Sequence, residues 1–100
     1  IAGTVTDLDK LLEAADTDAY PWAVCCFGPF ENAVMRAALD RGGHVRIGFE
    51  NNVVLADGSP APDNSALIRE CVRATHSHAR TPASPGEVRE AFAGGFFKLL

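Results

Sequence analysis

The chain has 100 residues, is 47% hydrophobic, and carries nine basic against thirteen acidic residues for a net charge of −4. That content excludes a disordered segment and supports one globular unit at most. The absence of any basic run leaves no electrostatic footprint for nucleic acid, and no apolar run approaches the roughly 18 residues that span a bilayer. The start shows no basic segment leading into an apolar one, so a cytoplasmic protein without membrane or nucleic-acid partners is expected.

Residues 6–16, TDLDKLLEAAD, place Leu8, Leu11, Leu12 and Ala15 at helical spacing, with Thr6 as a candidate N-cap and acidic residues in the first turn. The segment WAVCCFG that follows Pro21 is a short continuous apolar run ending at Gly28 and Pro29. It suits a strand buried on both faces. Of the three cysteines, Cys25, Cys26 and Cys71, the first two are adjacent and cannot act together as metal ligands, because neighbouring strand residues face opposite ways. Reduced, buried, structural thiols are expected.

FENAVMRAALDRGG then sets Phe30, Val34, Ala37 and Ala38 on one stripe of a helix that stops at Gly42 and Gly43. GGHVRIGFENN, residues 42–52, reads as the next strand, with Val45, Ile47 and Phe49 on one face and His44, Arg46, Gly48 and Glu50 on the other. NNVVLADGSPAPDN carries a DG turn and two prolines, so it is a loop. From Asn64, with Asp63 or Asn64 as cap, Leu67, Ile68, Cys71, Val72 and Thr75 mark a helix to about Ala79. SPGE at 84–87 is a capping box opening a short helix through Phe92, and the apolar GGFFKLL at the end has no assigned element.

Helix, strand, helix, strand, helix is an alternating α/β order that implies a parallel sheet. Functional groups gather at the carboxyl ends of such strands, which is where Glu50 and Gly28 fall. An open parallel sheet covered on both faces leaves no place for Arg46 and Glu50. A barrel does, because alternate strand residues line its interior. Taken alone, an Arg46–Glu50 pair serves equally well as barrel filling or as a site. His44, at the amino end of its strand, suits a structural hydrogen bond, and His76 and His78 lie two apart on a helix, so they do not share a face.

GGHVRIGFENN, preceded by a strand containing Trp22 and followed by DNSALI and ARTPASPGEVREAF, resembles the C-terminal portion of the β-keto acid cleavage enzymes. Gly43 to Asn52 match the pattern GHVRVGLEDN with three changes, at Ile47, Phe49 and Asn51, while Asn64 to Ile68 and Thr81 to Arg89 fit the later NAELV and ATPAEAR blocks. The resemblance implies a zinc-dependent (β/α)8 barrel that converts a β-keto acid and acetyl-CoA into acetoacetate and a new acyl-CoA. It implies Glu50 as the last-strand zinc ligand, the other two being histidines of an early HxH motif that has no counterpart in this chain. It also implies Arg46 as a catalytic and substrate-handling group. Asn51 stands at a catalytic position that is aspartate in the family, and an amide cannot act as a carboxylate base. Gly28 is a candidate for close approach to substrate.

Such a barrel takes roughly 250 residues, so the chain is expected to be about two βα units and a terminal helix from the C-terminal part of a single barrel domain, inactive alone. The resemblance further implies a homo-oligomer. The competing expectation is a non-catalytic α/β module whose Phe96, Phe97, Leu99 and Leu100 dock on a partner, or a family member with altered or lost activity.

Overall fold

The computed structural model describes residues 3–15, 21–93 and 98–99. Along these the order is α1 (Val5–Ala14), β1 (Trp22–Cys25), α2 (Glu31–Asp40), β2 (His44–Arg46), α3 (Asn64–Ser77), α4 (Pro85–Ala93) and β3 (Lys98–Leu99). The strands form a sheet in the order β2-β1-β3, with β1 parallel to both neighbours. No helix among the described residues is long and apolar enough to cross a membrane.

The register of β1 with β2, Ala23 opposite His44 and Cys25 opposite Arg46, decides what each sheet face carries. Trp22, Val24 and Cys26 point to one side, where they join Leu8 of α1 and Val34 and Ala38 of α2 in the main core, with Val45 packed against it. Leu8 and Val34 are fully enclosed there, each contributing about 1.5–3 kcal/mol relative to exposure. A second cluster of Met35, Leu39 and Ala74, flanked by Val45, Ile47 and Cys71, fixes α3 to α2. By alternation, Ala23, Cys25, His44 and Arg46 share the opposite face.

Helix ends follow their local chemistry. Asp63 caps α3, its Oδ1 accepting the Ala66 N–H at 2.8 Å. The Ser84–Glu87 capping box forms as expected, Ser84 N–H donating to Glu87 Oε1 at 3.0 Å and Glu87 N–H to Ser84 Oγ at 3.2 Å. Helix α1 starts earlier than its pattern suggests: its cap is Thr4, whose N–H donates to Asp7 Oδ2 at 2.9 Å. The helix ends at Ala14, short of the expected run to Asp16, because Ala15 turns extended as its cap; Asp16 lies outside the described residues, as do Phe96, Phe97 and Leu100 of the apolar tail.

Helix α2 closes with a left-handed Gly42 (φ 82), Gly43 N–H reaching Ala38 O at 2.9 Å and Gly42 N–H reaching Leu39 O at 3.3 Å. Helix α3 closes the same way on Ala79, which adopts φ 56 with a side chain that disfavours it. Arg80 next to it donates to Leu39 O at 3.1 Å and Gly43 O at 2.7 Å, so the two helix ends are joined. Of the expected α2 stripe, Val34 and Ala38 are buried, joined by Met35 and Leu39, whereas Phe30 is 53% exposed because it precedes the helix as its cap.

These ends give a paired prediction. Ala79→Gly relieves the left-handed strain and is expected to raise stability by about 1 kcal/mol. Gly43→Ala sets a methyl into the Trp22 ring at a position fixed by hydrogen bonds, and is expected to cost about 1–3 kcal/mol. Urea unfolding of both variants checks the opposite signs.

Candidate active site

The strand that begins at His44 ends at Arg46, and Gly48 to Asn51 turn the chain. The turn closes through Asn51 and Asn52 N–H groups donating to Gly48 O at 3.0 and 3.1 Å. It breaks the alternation, so Phe49 does not join Val45 and Ile47 in the core; it stands 39% exposed at the lip of the site. Three anchors hold the turn over the carboxyl end of the sheet. Gly28 (φ 92), just past β1, donates its N–H to Asn51 O at 2.7 Å. Asn64, opening α3, accepts the Phe49 N–H at 3.1 Å, and Glu31, opening α2, meets the Asn52 amide at 3.4 Å.

The sequence-predicted groups come together here. Arg46 Nη2 lies 3.6 Å from Glu50 Oε1, with both side chains more than half exposed. The Glu50 carboxylate leans back over Gly48, where an added Cβ would stand 2.5 Å from its Oε2. A cavity of about 310 Å³ opens beside it, lined by Gly28, Pro29, Phe49, Glu50, Asn51 and Asn52 with Val53 and Val54. Asn51 is buried and donates from Nδ2 to Cys25 Sγ at 3.0 Å. A larger hollow of about 410 Å³ runs along β2 and α3 past His44, Val45, Ile47, Ile68 and Val72. Apart from Arg46 it touches none of the predicted site residues, and the smaller cavity is the chemically equipped one.

Other candidates fall elsewhere. His44 starts β2 at the end of the strand away from Glu50; burial first, then the charge of Arg80, lowers its pKa. His78 Nδ1 sits 2.8 Å from Ala74 O at the end of α3, and His76 is exposed. Among the described residues no group of three His, Cys, Asp or Glu side chains converges as a metal site. All three cysteines are thiols, outside any disulfide, and burial pushes the Cys71 thiol up in pKa, which keeps it protonated and unreactive.

Two residues at the site were missed by pattern reading. Cys25 lies beneath Asn51, on the same sheet face as Arg46. Glu31 is only 3% exposed. Its signal was its spacing, since Glu31, Val34, Met35 and Ala38 form the buried stripe of α2. Its Oε2 has no hydrogen-bond partner among the described residues.

Burial raises the pKa of Glu31 above 4.5, and the nearby Glu50 charge adds to the rise. The Asn52 amide opposes it most, followed by the nearby Gly48 N–H and the Asn51 amide. A raised folded pKa favours the protonated form in the fold. Its contribution is therefore present below the unfolded carboxylate value and lost as pH rises through the folded one. Wild type is expected to lose stability relative to Glu31→Gln as pH rises above the ordinary glutamate range. Urea unfolding across that rise in pH reads the difference, and parallel curves would contradict it.

The chain belongs to the β-keto acid cleavage enzyme family, which its residues 1–93 match. It is similar to a 3-keto-5-aminohexanoate cleavage enzyme of Acetoanaerobium sticklandii, 34% identical over 90 residues that cover 90% of this chain and 33% of that protein. A 3-keto-5-aminohexanoate cleavage enzyme of Fusobacterium nucleatum is 36% identical over 69 residues, 69% of this chain and 25% of the relative. A 3-oxoadipate:acetyl-CoA acetyltransferase of Cupriavidus necator is 31% identical over 68 residues, 68% of this chain and 24% of the relative. The chain thus spans a third or less of the length of these curated relatives.

Proposed function

We propose that this chain forms the C-terminal part of a zinc-dependent enzyme that converts a β-keto acid and acetyl-CoA into acetoacetate and a new acyl-CoA. The observation that carries the reading is the gathering of Glu50, Asn51 and Gly28 around one cavity beyond the carboxyl ends of parallel strands, with Arg46 paired to Glu50 at 3.6 Å beside it. The relatives' names supply the reaction type: cleavage of a keto acid and acetyl transfer from acetyl-CoA. A (β/α)8 barrel is the proposed frame. Helices α1 and α2 cover one face of the sheet, Arg46 lies on the other, and the hollow along β2 is where a further strand and helix would pack.

Zinc needs three protein donors with an open fourth position. Glu50 fits as one oxygen donor, being an exposed carboxylate at the mouth of the cavity, and the remaining donors would come from outside the described residues. A zinc ion held there supplies a Lewis acid for the oxygens of the keto acid.

The chain's own groups do the rest of their part by charge and hydrogen bonding. Arg46 offers a guanidinium to the substrate carboxylate, a planar fork that binds such groups in two-point fashion. Its exposed pair with Glu50 is weak in water and gives way readily when a substrate enters. Asn51 orients by hydrogen bonding, and proton removal falls to a residue outside the described ones.

Acetoacetate formation from acetyl-CoA and a panel of β-keto acids by the full-length protein tests the reading. Wild type is expected to turn over with one zinc per subunit. Glu50→Gln is expected to lose the metal, and Arg46→Met to lower kcat/KM about a hundredfold or more. The isolated 100-residue chain is expected to hold no stoichiometric zinc. A full-length wild type that makes no acetoacetate from any keto acid, or a Glu50→Gln variant that keeps its zinc, overturns the proposal.

A further inference from the structure

Glu31 is not explained by its helix. The acidic residues that open α1 and α4, Asp7 and Glu87, are exposed and engage the cap residues Thr4 and Ser84. Glu31 faces inward instead, 3% exposed, with Asn52 Nδ2 as its hydrogen-bond donor at 3.4 Å and an Oε2 without a partner among the described residues. Burying a carboxylate on so little hydrogen bonding is unfavourable, and the favourable end of the helix dipole offsets only part of the cost. An apolar side chain of similar length would fill the same space at less cost.

What Glu31 does is fix Asn52. That amide is committed on every side: Nδ2 donates to Val54 O at 2.7 Å and to Glu31 Oε1, while Oδ1 accepts the Val54 N–H at 3.2 Å. The carboxylate distinguishes the two ends of the amide, because it can meet only the NH2 end. With the amide fixed, the chain from Gly48 to Val54 is held at its far end, as Gly28 N–H holds it at Asn51 and Asn64 holds it at Phe49. Glu50 and Asn51 lie within that held segment.

We propose that Glu31 is a positioning residue of the active site, whose buried carboxylate oxygen orients the Asn52 amide and thereby sets where the turn places Glu50 and Asn51. The functional part rests on the reading of Glu50 as a site residue; the structural part does not. Residues that support a metal ligand from behind typically change metal affinity or activity by about 10–100-fold when removed.

The test compares Glu31→Met, which keeps length but removes the acceptor, with Glu31→Gln, which keeps an acceptor oxygen, in the full-length protein. Glu31→Met is expected to fold with undiminished stability, to exchange the Val54 amide hydrogen about tenfold faster, and to lower zinc affinity and kcat about tenfold with little change in KM. Glu31→Gln is expected to restore all of these to near wild type. Asn52→Ala is expected to mimic Glu31→Met, and the double variant to be no worse than either single one. This second route keeps the test decisive if Glu31→Met unfolds. Unchanged Val54 exchange in Glu31→Met, additive effects in the double variant, or a Glu31→Gln as impaired as Glu31→Met overturns the proposal. Should wild type neither bind zinc nor make acetoacetate, the proposed function fails, while the exchange data still decide whether Glu31 positions the turn.

Discussion

The parallel pairing of Trp22–Cys25 with His44–Arg46 is the constraint on which the other features rest. Its register puts Val24 beside Val45 toward the helices and Cys25 beside Arg46 away from them. One sheet face is thereby committed to hydrophobic burial, and the other is left for an arginine. The same pairing brings the ends of β1 and β2 level, so that Gly28 N–H can tie the turn after β2 to the chain leaving β1. A shift of one residue would send Arg46 into the core against Val34 and Ala38, a cost no local interaction could offset.

The two ends of the sheet are built differently. At the amino end of β2 the chain is locked by repeated use of carbonyl groups: Gly43 closes α2 against Trp22, and Arg80 bridges two carbonyls of the α2 end. At the carboxyl end the backbone bonds of Gly28 and Gly48 are joined by side-chain ones: Asn51 to Cys25, Asn52 to Glu31 and Val54, Asn64 to Phe49. Stability is concentrated where side chains fill space, and polarity where the cavity opens. This division of labour between the two ends of parallel strands is common in enzymes built on them.

Much of the frame was legible because it depends on near neighbours in sequence. The Ser84–Glu87 box, the Asp63 cap and the Gly42–Gly43 stop are determined by groups three to five residues apart, and each formed as read. The gathering of Arg46 and Glu50 was legible from alternation and from the GHVRIGFEN motif, although the ion pair arises across a turn and not along a strand. Phe30 and Phe49 went the other way. Each is apolar, but Phe30 sits one position before α2 and Phe49 three positions after β2, where periodicity no longer dictates direction.

The sequence by itself determined the order from α1 to α4, the caps of α3 and α4, and the set of residues available for chemistry, since these follow from local propensity and spacing. Only the tertiary structure decided which of those residues meet. The Asn51 contact with Cys25 spans 26 positions and that of Asn52 with Glu31 spans 21, distances over which no periodicity carries information. A glutamate at a helix start reads as a solvated first-turn charge until another segment folds over it. Glu31 acquired its burial, its raised pKa and its hold on the turn only when the loop after β2 came to rest on the start of α2.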